Sequence, residues 1–371
     1  MAADFAGLGM SNAWAADMLS GQREDFRMRN RCAAIGLALA LATAAQAQAQ
    51  KPAPPPSPLS AAHTADMPEP DKSAQESAWD AYLHRVAAQL AGSGSGRDLA
   101  FAAILINLSP RDKRAVSQAE GWRQDALERA GQDALAYQLL ASKAPEDEGE
   151  VRSEAARRWL ALEPSNFSAL MQQALGPQEL LVAARESRYA DLHMYDGVRW
   201  MQSALLRHPP TAQELQALGG SPNYRLEEGA VITAIGIWTA FPLTGYKALL
   251  DTCKPEAMGK TPAREADCLH VAHLLTERSS TVLDEGFGLA IQRRLAKTPT
   301  ERAAARARRR QLEWLMQASA PLGMQDGGTR FARLLADPSI HSEQQLLQRL
   351  LKDAGRPLTP PPCWKWRPPR P

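Results

Sequence analysis

The sequence predicts an all-α fold of stacked helical hairpins, similar to an α-solenoid and flanked by disordered proline-rich tails. Helix-start signals recur along the chain, β-like runs are nearly absent, and the 27 prolines concentrate at the two ends. Apolar residues also recur at helical spacing, as in Trp79, Tyr82, Leu83, Val86 and Leu90. These three observations favour helices packed on helices over any sheet architecture.

The first 47 residues predict export. Residues 28–47 have a short basic head, an apolar stretch over 33–45 and small residues at the two positions that a signal peptidase reads. The apolar stretch has 13 residues, and a membrane span needs about 20. We therefore expect cleavage and a periplasmic or secreted protein. Residues 1–27 precede a complete signal, so we expect translation to start at Met28.

The remaining chain divides by composition. Residues 48–72 are a proline-rich linker, 73–220 a helical-repeat-like region, 221–355 a C-terminal helical region, and 356–371 a disordered tail rich in Pro, Trp and Arg. No segment after the signal is long and apolar enough to predict a transmembrane helix.

Helix starts are marked by capping boxes, in which a hydroxyl caps one amide and the third residue reaches back to another. The pairs are Ser73/Glu76, Ser109/Asp112, Thr211/Glu214, Thr298/Glu301 and Ser342/Gln345. The β-like run 231–241 predicts a buried helix that is interrupted near Pro242, because helical spacing continues beyond it.

A weak internal repeat suggests a family resemblance. The pattern Leu-Ala-aromatic-x-x-apolar-apolar of residues 99–105 recurs 36 positions later, in 135–141. In residues 153–170, Pro164 ends an Ala-rich helix and Ser165 or Asn166 caps the next. This junction resembles the one between tetratricopeptide repeats, and the resemblance covers about residues 97–207. It implies a helical stack with an extended surface for a protein partner.

Three cysteines remain after signal cleavage. Cys253 and Cys268 are close in sequence, and in an oxidising compartment they are the natural pair. Cys363 is then an odd thiol in the tail. A Cys268–Cys363 bridge is the alternative that peptide mapping would reveal.

One metal constellation stands out. His270, His273 and Glu277 are spaced at i, i+3 and i+7, so on a helix they share a face and can ligate zinc if other ligands join them. The alternative is a polar stripe with ordinary hydrogen bonds.

The segment 258–261 resembles a phosphate loop, but Lys254 stands where the first glycine is needed. No cofactor is therefore expected.

Exported helical proteins also invite comparison with lytic transglycosylases, whose catalytic Glu precedes a Ser. The pairs Glu76-Ser77 and Glu186-Ser187 are similar to that dipeptide, but the family's downstream Gly-Leu-Met-Gln element is incomplete here. Glu186 also lies between two arginines, which would lower the pKa that a general acid needs raised.

Charge is balanced overall and concentrated locally. The net charge of +2, together with the export signal, argues against nucleic-acid binding. Residues 293–310 contain eight Lys or Arg and one acid, and Arg302, Arg306 and Arg309 share one helix face. This face is either a solvated basic surface or a docking surface for an acidic partner, such as lipid headgroups or a protein.

These patterns favour an exported scaffold or protein-interaction module with an unidentified protein partner. The alternative is a secreted enzyme, acting on peptidoglycan or dependent on a metal, centred near Cys253–Glu277. An enzyme would have a deep pocket with converging titratable groups, whereas a scaffold would have a broad groove or an exposed apolar patch.

Overall fold

The computed structural model describes residues 72–109, 113–142, 149–218, 225–241, 246–259, 262–323 and 325–364. Within these ranges the fold is all-α, as predicted, and strand pairing is limited to two isolated bridges. The helices are α1 (Lys72–Ala91), α2 (Gly96–Leu108), α3 (Lys113–Arg129), α4 (Ala134–Ser142), α5 (Gly149–Leu162), α6 (Phe167–Leu170), α7 (Pro177–Ala183), α8 (Met194–Arg207), α9 (Ala212–Ala217), α10 (Leu226–Thr239), α11 (Tyr246–Thr252), α12 (Pro255–Met258), α13 (Pro262–Glu277), α14 (Val282–Leu295), α15 (Pro299–Gly323), α16 (Thr329–Ala336) and α17 (Glu343–Asp353).

The 36-residue repeat coincides with two consecutive hairpins, α2–α3 and α4–α5. Their first helices, α2 and α4, also pack on each other. Gly96 permits a close approach at the start of α2, because a Cβ there would lie 2.7 Å from the backbone nitrogen of Ala130. The stack is therefore a set of packed helix pairs, as the spacing of its apolar residues predicts.

The junction predicted after α5 is confirmed in its cap, but the helix that follows is much shorter than a repeat needs. α5 ends at Leu162, and the Asn166 side chain accepts a hydrogen bond from the Ser168 amide, as predicted. However, α6 has only four residues, whereas a third repeat needs a full helix there. Phe167 and Leu170 are buried in a second core, so the chain leaves the stack at this point.

Two other predicted helix starts have the expected chemistry, whereas Ser73 lies inside α1, which begins at Lys72, and is not its cap. Thr211 and Thr298 each form both hydrogen bonds of a capping box. Ser342 accepts from the Gln345 amide, but the Gln345 side chain accepts from the His341 amide instead of reaching back to Ser342. Residues 231–239 of the β-like run are helical in α10, as predicted, and most of them are buried where α10 packs against α8 and α16.

Two hydrophobic cores organise the described helices. The larger lies among α1–α5, α8, α10, α16 and α17, and the second among α6, α7, α11, α13 and α14. α15 lies along α14 and α17, and two small clusters are buried beneath it. None of the helices in the described ranges is long and apolar enough to cross a bilayer.

A polar region, which we call the central seam, joins the two cores. It consists of residues 163–167, 187–193, 278–285 and 342–344. Residues 187–190 are extended: the Arg188 amide donates to Ser165 O (2.9 Å) and the Ala190 amide donates to Arg278 O (2.9 Å). The Glu343 amide then donates to Ser280 O (2.8 Å). Four distant chain segments are therefore held together by backbone hydrogen bonds.

The C-terminal tail departs from the prediction. Residues 356–364, expected to be disordered, lie against α15. The Trp314 indole donates to Pro357 O (2.9 Å) and meets the Trp364 ring edge-to-face at 5.6 Å. Arg310 donates to the carbonyl oxygens of Pro361 and Trp364. The tail is ordered there because its backbone acceptors and one aromatic ring find partners on a helix.

Several sequence predictions lie outside the described residues. They are the upstream extension 1–27, the signal peptide 28–47, nearly all of the linker 48–72, the interruption at Pro242 and the last residues of the tail. Ser109/Asp112 and the phosphate-loop-like segment 258–261 lie outside in part.

Candidate functional site

A groove of about 860 Å³ lies where the first turns of α2, α4 and α8 meet. Its walls come from Arg97 of α2, from residues 130–135 between α3 and α4, and from residues 193–200 at the start of α8. Arg97 and Asp133, 36 positions apart, are paired at the starts of the two hairpins, and Trp200 of α8 contacts Arg97 and Phe101 of α2. The groove is thus a product of the helical stack.

One wall of the groove is the half-buried indole of Trp200. Phe101 supports the ring from the core in an edge-to-face contact at 5.4 Å. The Arg97 guanidinium lies over the ring, 5.6 Å from its centroid. Arg97 is itself held in a bidentate pair with Asp133, at 2.7 and 2.6 Å. This arrangement presents a fixed aromatic surface and a fixed cation side by side.

The groove's opposite wall begins at a strained residue. His193 has φ 53°, in the left-handed region, and within the described ranges every other residue with positive φ is a glycine. The Asp191 carboxylate accepts from the His193 amide (2.9 Å), and His193 O accepts from the Gly197 amide (2.7 Å). Such strain persists only where the surroundings over-determine the backbone, and it concentrates at functional sites.

The His193 ring is anchored beneath the groove by Glu163. Nε2 lies 2.9 Å from Glu163 Oε2. The same carboxylate oxygen accepts from the Trp159 indole (2.8 Å) and from the Asn166 side-chain amide (2.8 Å). One carboxylate therefore connects the end of α5, the cap of α6 and the start of α8.

Electrostatics favour the ionised forms of this pair. Burial lowers the pKa of His193, but the Glu163 hydrogen bond and the charge of Asp191 outweigh it, so the pKa is raised above its ordinary value. Burial raises the pKa of Glu163, but the hydrogen bonds from His193 and Asn166 outweigh it, so this pKa is lowered. Each partner therefore favours the charged form of the other, and Nε2 of His193 is directed into the protein, toward Glu163.

Arg199 fixes the far side of the groove to α16. Its guanidinium donates to the carbonyl oxygens of Leu335, Asp337 and Ile340, which follow the last turn of that helix. The neighbouring Asp196 side chain is 67% exposed and faces Arg199 at 3.5 Å. With Gln132 it supplies exposed polar groups at the rim. The groove can thus stack an apolar side chain on Trp200 and hydrogen-bond a polypeptide at its edge.

The predicted cysteine pairing is confirmed in the structure. Cys253 and Cys268 form a disulfide with a Cα–Cα distance of 5.7 Å, and both residues are fully buried. The bond ties the end of α11 to α13 within the second core. Cys363 is exposed and free.

The predicted metal residues do not converge. His270 Nε2 lies 3.0 Å from Ala184 O, so that ring nitrogen already has a backbone partner. His273 and Glu277 are exposed on α13. The part of the chain that the structure describes contains no group of three His, Cys, Asp or Glu side chains placed to hold a metal. His270, His273 and Glu277 share one face of α13, as their spacing predicts, but no other ligand lies beside them among the described residues.

Two of the three arginines of the predicted basic face make contacts within the protein. Arg302 donates to Ala296 O and Lys297 O, which are acceptors between α14 and α15. Arg309 pairs with Glu313 at 2.7 Å. Of the three, only Arg306 is exposed; the other two are half-buried. The transglycosylase-like Glu76 and Glu186 are both exposed, whereas a general acid needs burial to raise its pKa.

The residues of the groove were not singled out in the sequence. His193 and Glu163 are 30 positions apart, and no local pattern marks a left-handed histidine. The only available signal was the 36-residue repeat, which places Arg97 and Asp133 at equivalent positions.

Comparison with known proteins adds no assignment: no protein-family model, curated protein or solved structure matches this chain.

Proposed function

We propose that this protein is an exported scaffold that binds another protein through the groove between α2, α4 and α8. The observation that carries the proposal is the supported indole of Trp200 beside Arg97. Trp and Arg dominate binding energy at protein interfaces, especially where their geometry is fixed before the partner arrives. The open shape of the groove suits a polypeptide segment.

We further propose that α2–α3 and α4–α5 are two diverged repeats of the tetratricopeptide type. Support comes from their consecutive packing, from the 36-residue spacing and from the contact between their first helices. In this arrangement the groove lies where the first helices of the two hairpins begin, next to the start of α8.

Export is the remaining part of the proposal. Signal-peptide cleavage would release a chain that begins at Gln48. The buried disulfide supports maturation in an oxidising compartment, because thiols in the cytosol are kept reduced. N-terminal sequencing of the protein from its native host tests this directly. A chain that retains residues 28–47 would contradict it.

Site-specific photo-crosslinking tests the groove. A photoreactive residue at Gln132, on the rim, is compared in the native host with one at Glu120, which is exposed on α3. We expect a discrete adduct from Gln132 only, and we expect Trp200→Ala to abolish it. Equal adducts from both positions, or an adduct that is insensitive to Trp200→Ala, would overturn the proposal.

A further inference from the structure

The free ends of the helices in the second half of the chain form a strongly positive surface, which we call the basic end. Its cations come from α11 (Lys247), from the segment between α11 and α12 (Lys254), from α13 (Arg264) and from the end of α14 (Arg293, Arg294). Three more follow at the start of α15: Lys297, Arg302 and Arg306.

Contacts between the helices bring these residues together. The Arg294 guanidinium donates to Leu250 O (3.2 Å), which joins the end of α14 to α11. Lys297 pairs with Glu265 at 2.6 Å, which joins the start of α15 to the start of α13. Arg264 donates to Ala257 O and so holds α12 against α13. Four helix ends therefore share one surface.

The basic end has a larger net positive charge than the whole chain. The eight cations are accompanied by four acids, Asp251, Glu256, Glu265 and Glu301, an excess of four positive charges. The whole chain has a net charge of only +2, so the rest of the molecule is slightly negative. The lysines are also well exposed, with 65% for Lys247, 45% for Lys254 and 71% for Lys297.

The composition of the basic end favours a lipid surface over a protein. Four of the five exposed large hydrophobic residues of the described chain lie on other elements, at Leu175, Val182, Leu226 and Leu358; the fifth, Leu269, lies on α13, one turn beyond Glu265. Protein interfaces are depleted in Lys and need aromatic or apolar anchors at their centre. Anionic headgroups attract clustered Lys and Arg without any apolar insertion, and the attraction falls with salt.

The groove and the basic end lie far enough apart for both to be occupied at the same time. α14 has 14 residues, so about 20 Å separates its start, in the central seam, from its end at the basic end. His193, at the floor of the groove, belongs to the seam. We propose that the basic end docks the protein onto an anionic phospholipid bilayer through headgroup phosphates, while the groove stays accessible.

Vesicle co-sedimentation of the full chain tests the proposal. The probes are vesicles of phosphatidylcholine with one quarter phosphatidylglycerol, and vesicles of phosphatidylcholine alone, each at low and high salt. We expect binding only to the anionic vesicles, and we expect it to weaken at high salt. Each cation at such a surface contributes about fivefold in partitioning, so the triple variant K254Q/R293Q/R306Q should bind about 100-fold more weakly.

The matched control removes three exposed cations outside the basic end, in K113Q/R114Q/R225Q. It has the same net charge as the test variant, so a response to overall charge would weaken both equally. Equal losses, or equal binding to neutral vesicles, would overturn the proposal. Binding to a polyglutamate peptide without binding to anionic vesicles would also overturn it and would assign the surface to an acidic protein. Circular dichroism confirms that both variants fold.

Discussion

The central seam contains a buried carboxyl group whose ionisation should govern stability. Asp284, in the first turn of α14, is fully buried. It accepts hydrogen bonds from the Tyr246 hydroxyl and from the Thr281 hydroxyl (2.8 Å). Burial raises its pKa from 3.8 to about 6; the two hydrogen bonds lower it, but not enough to offset burial, and the charge of Asp191 adds to the rise.

This direction sets the sign of the pH dependence. The folded state holds the proton more tightly than the unfolded state does, so the stabilisation is complete below the unfolded pKa and is lost as pH rises through about 6. A shift of about two units corresponds to about 3 kcal/mol over the full range, and to about 2 kcal/mol between pH 4.5 and 8.

Asp284→Asn removes the ionisation and keeps a group that can hydrogen-bond to both hydroxyls. We expect the free energy of unfolding of the variant, relative to the natural protein, to improve by about 2 kcal/mol between pH 4.5 and pH 8. Urea unfolding at both pH values measures this difference, in which the contributions of unrelated groups cancel.

The reasoning would be refuted if the difference in the free energy of unfolding did not change with pH. It would also be refuted if the variant became less stable relative to the natural protein as pH rises. Glu343 provides an internal check. Burial raises its pKa to about 7, opposed by a hydrogen bond from the Val282 amide, and the charge of Asp284 adds to the rise. The pH dependence that Glu343 contributes should therefore shrink in the Asp284→Asn background.

Three further perturbations probe the cores and the groove. Cys268→Ala opens a loop of 15 residues and should lower the free energy of unfolding by about 3 kcal/mol in denaturant titrations; a loss below 1 kcal/mol would contradict a native disulfide. Gly288→Ala should lower stability by about 2 kcal/mol, because its Cβ would lie 2.5 Å from a hydroxyl oxygen of α13. Its control, Gly286→Ala, meets nothing closer than 3.9 Å and should be neutral or better; equal losses would refute the packing. Glu163→Gln should lower the pKa of His193 in an NMR titration, since the anion that raises it is gone; an unchanged pKa would count against the pair.

Local chemistry explains which features could be predicted from the sequence. The caps at Thr211 and Thr298 depend on residues three positions apart, and the hairpins depend on helical spacing within about 15 residues. The Cys253–Cys268 pair is similarly local. Each of these signals is contained in one short segment, so tertiary packing had little opportunity to override it.

The features that could not be predicted depend on distant contacts. After the single turn of α6 the chain turns away from the stack, and Phe167 and Leu170 are buried in a core that also contains α11, α13 and α14, which are distant in sequence. His193 adopts a left-handed conformation because Glu163, Asp191 and Gly197 each bind part of it. The tail after α17 finds hydrogen-bond donors and an aromatic contact on α15, which a proline-rich composition does not reveal.

The central claim is that the groove binds a protein partner, and the affinity of the segment captured by photo-crosslinking at Gln132 tests it most directly. Isothermal titration would compare the natural protein with Trp200→Ala and with Trp122→Ala, a half-buried tryptophan of α3 outside the groove. We predict at least about 30-fold weaker binding for Trp200→Ala, the effect of losing an interface hot spot, and less than about threefold for Trp122→Ala. Equal effects of the two substitutions, or unchanged affinity in Trp200→Ala, would contradict the claim.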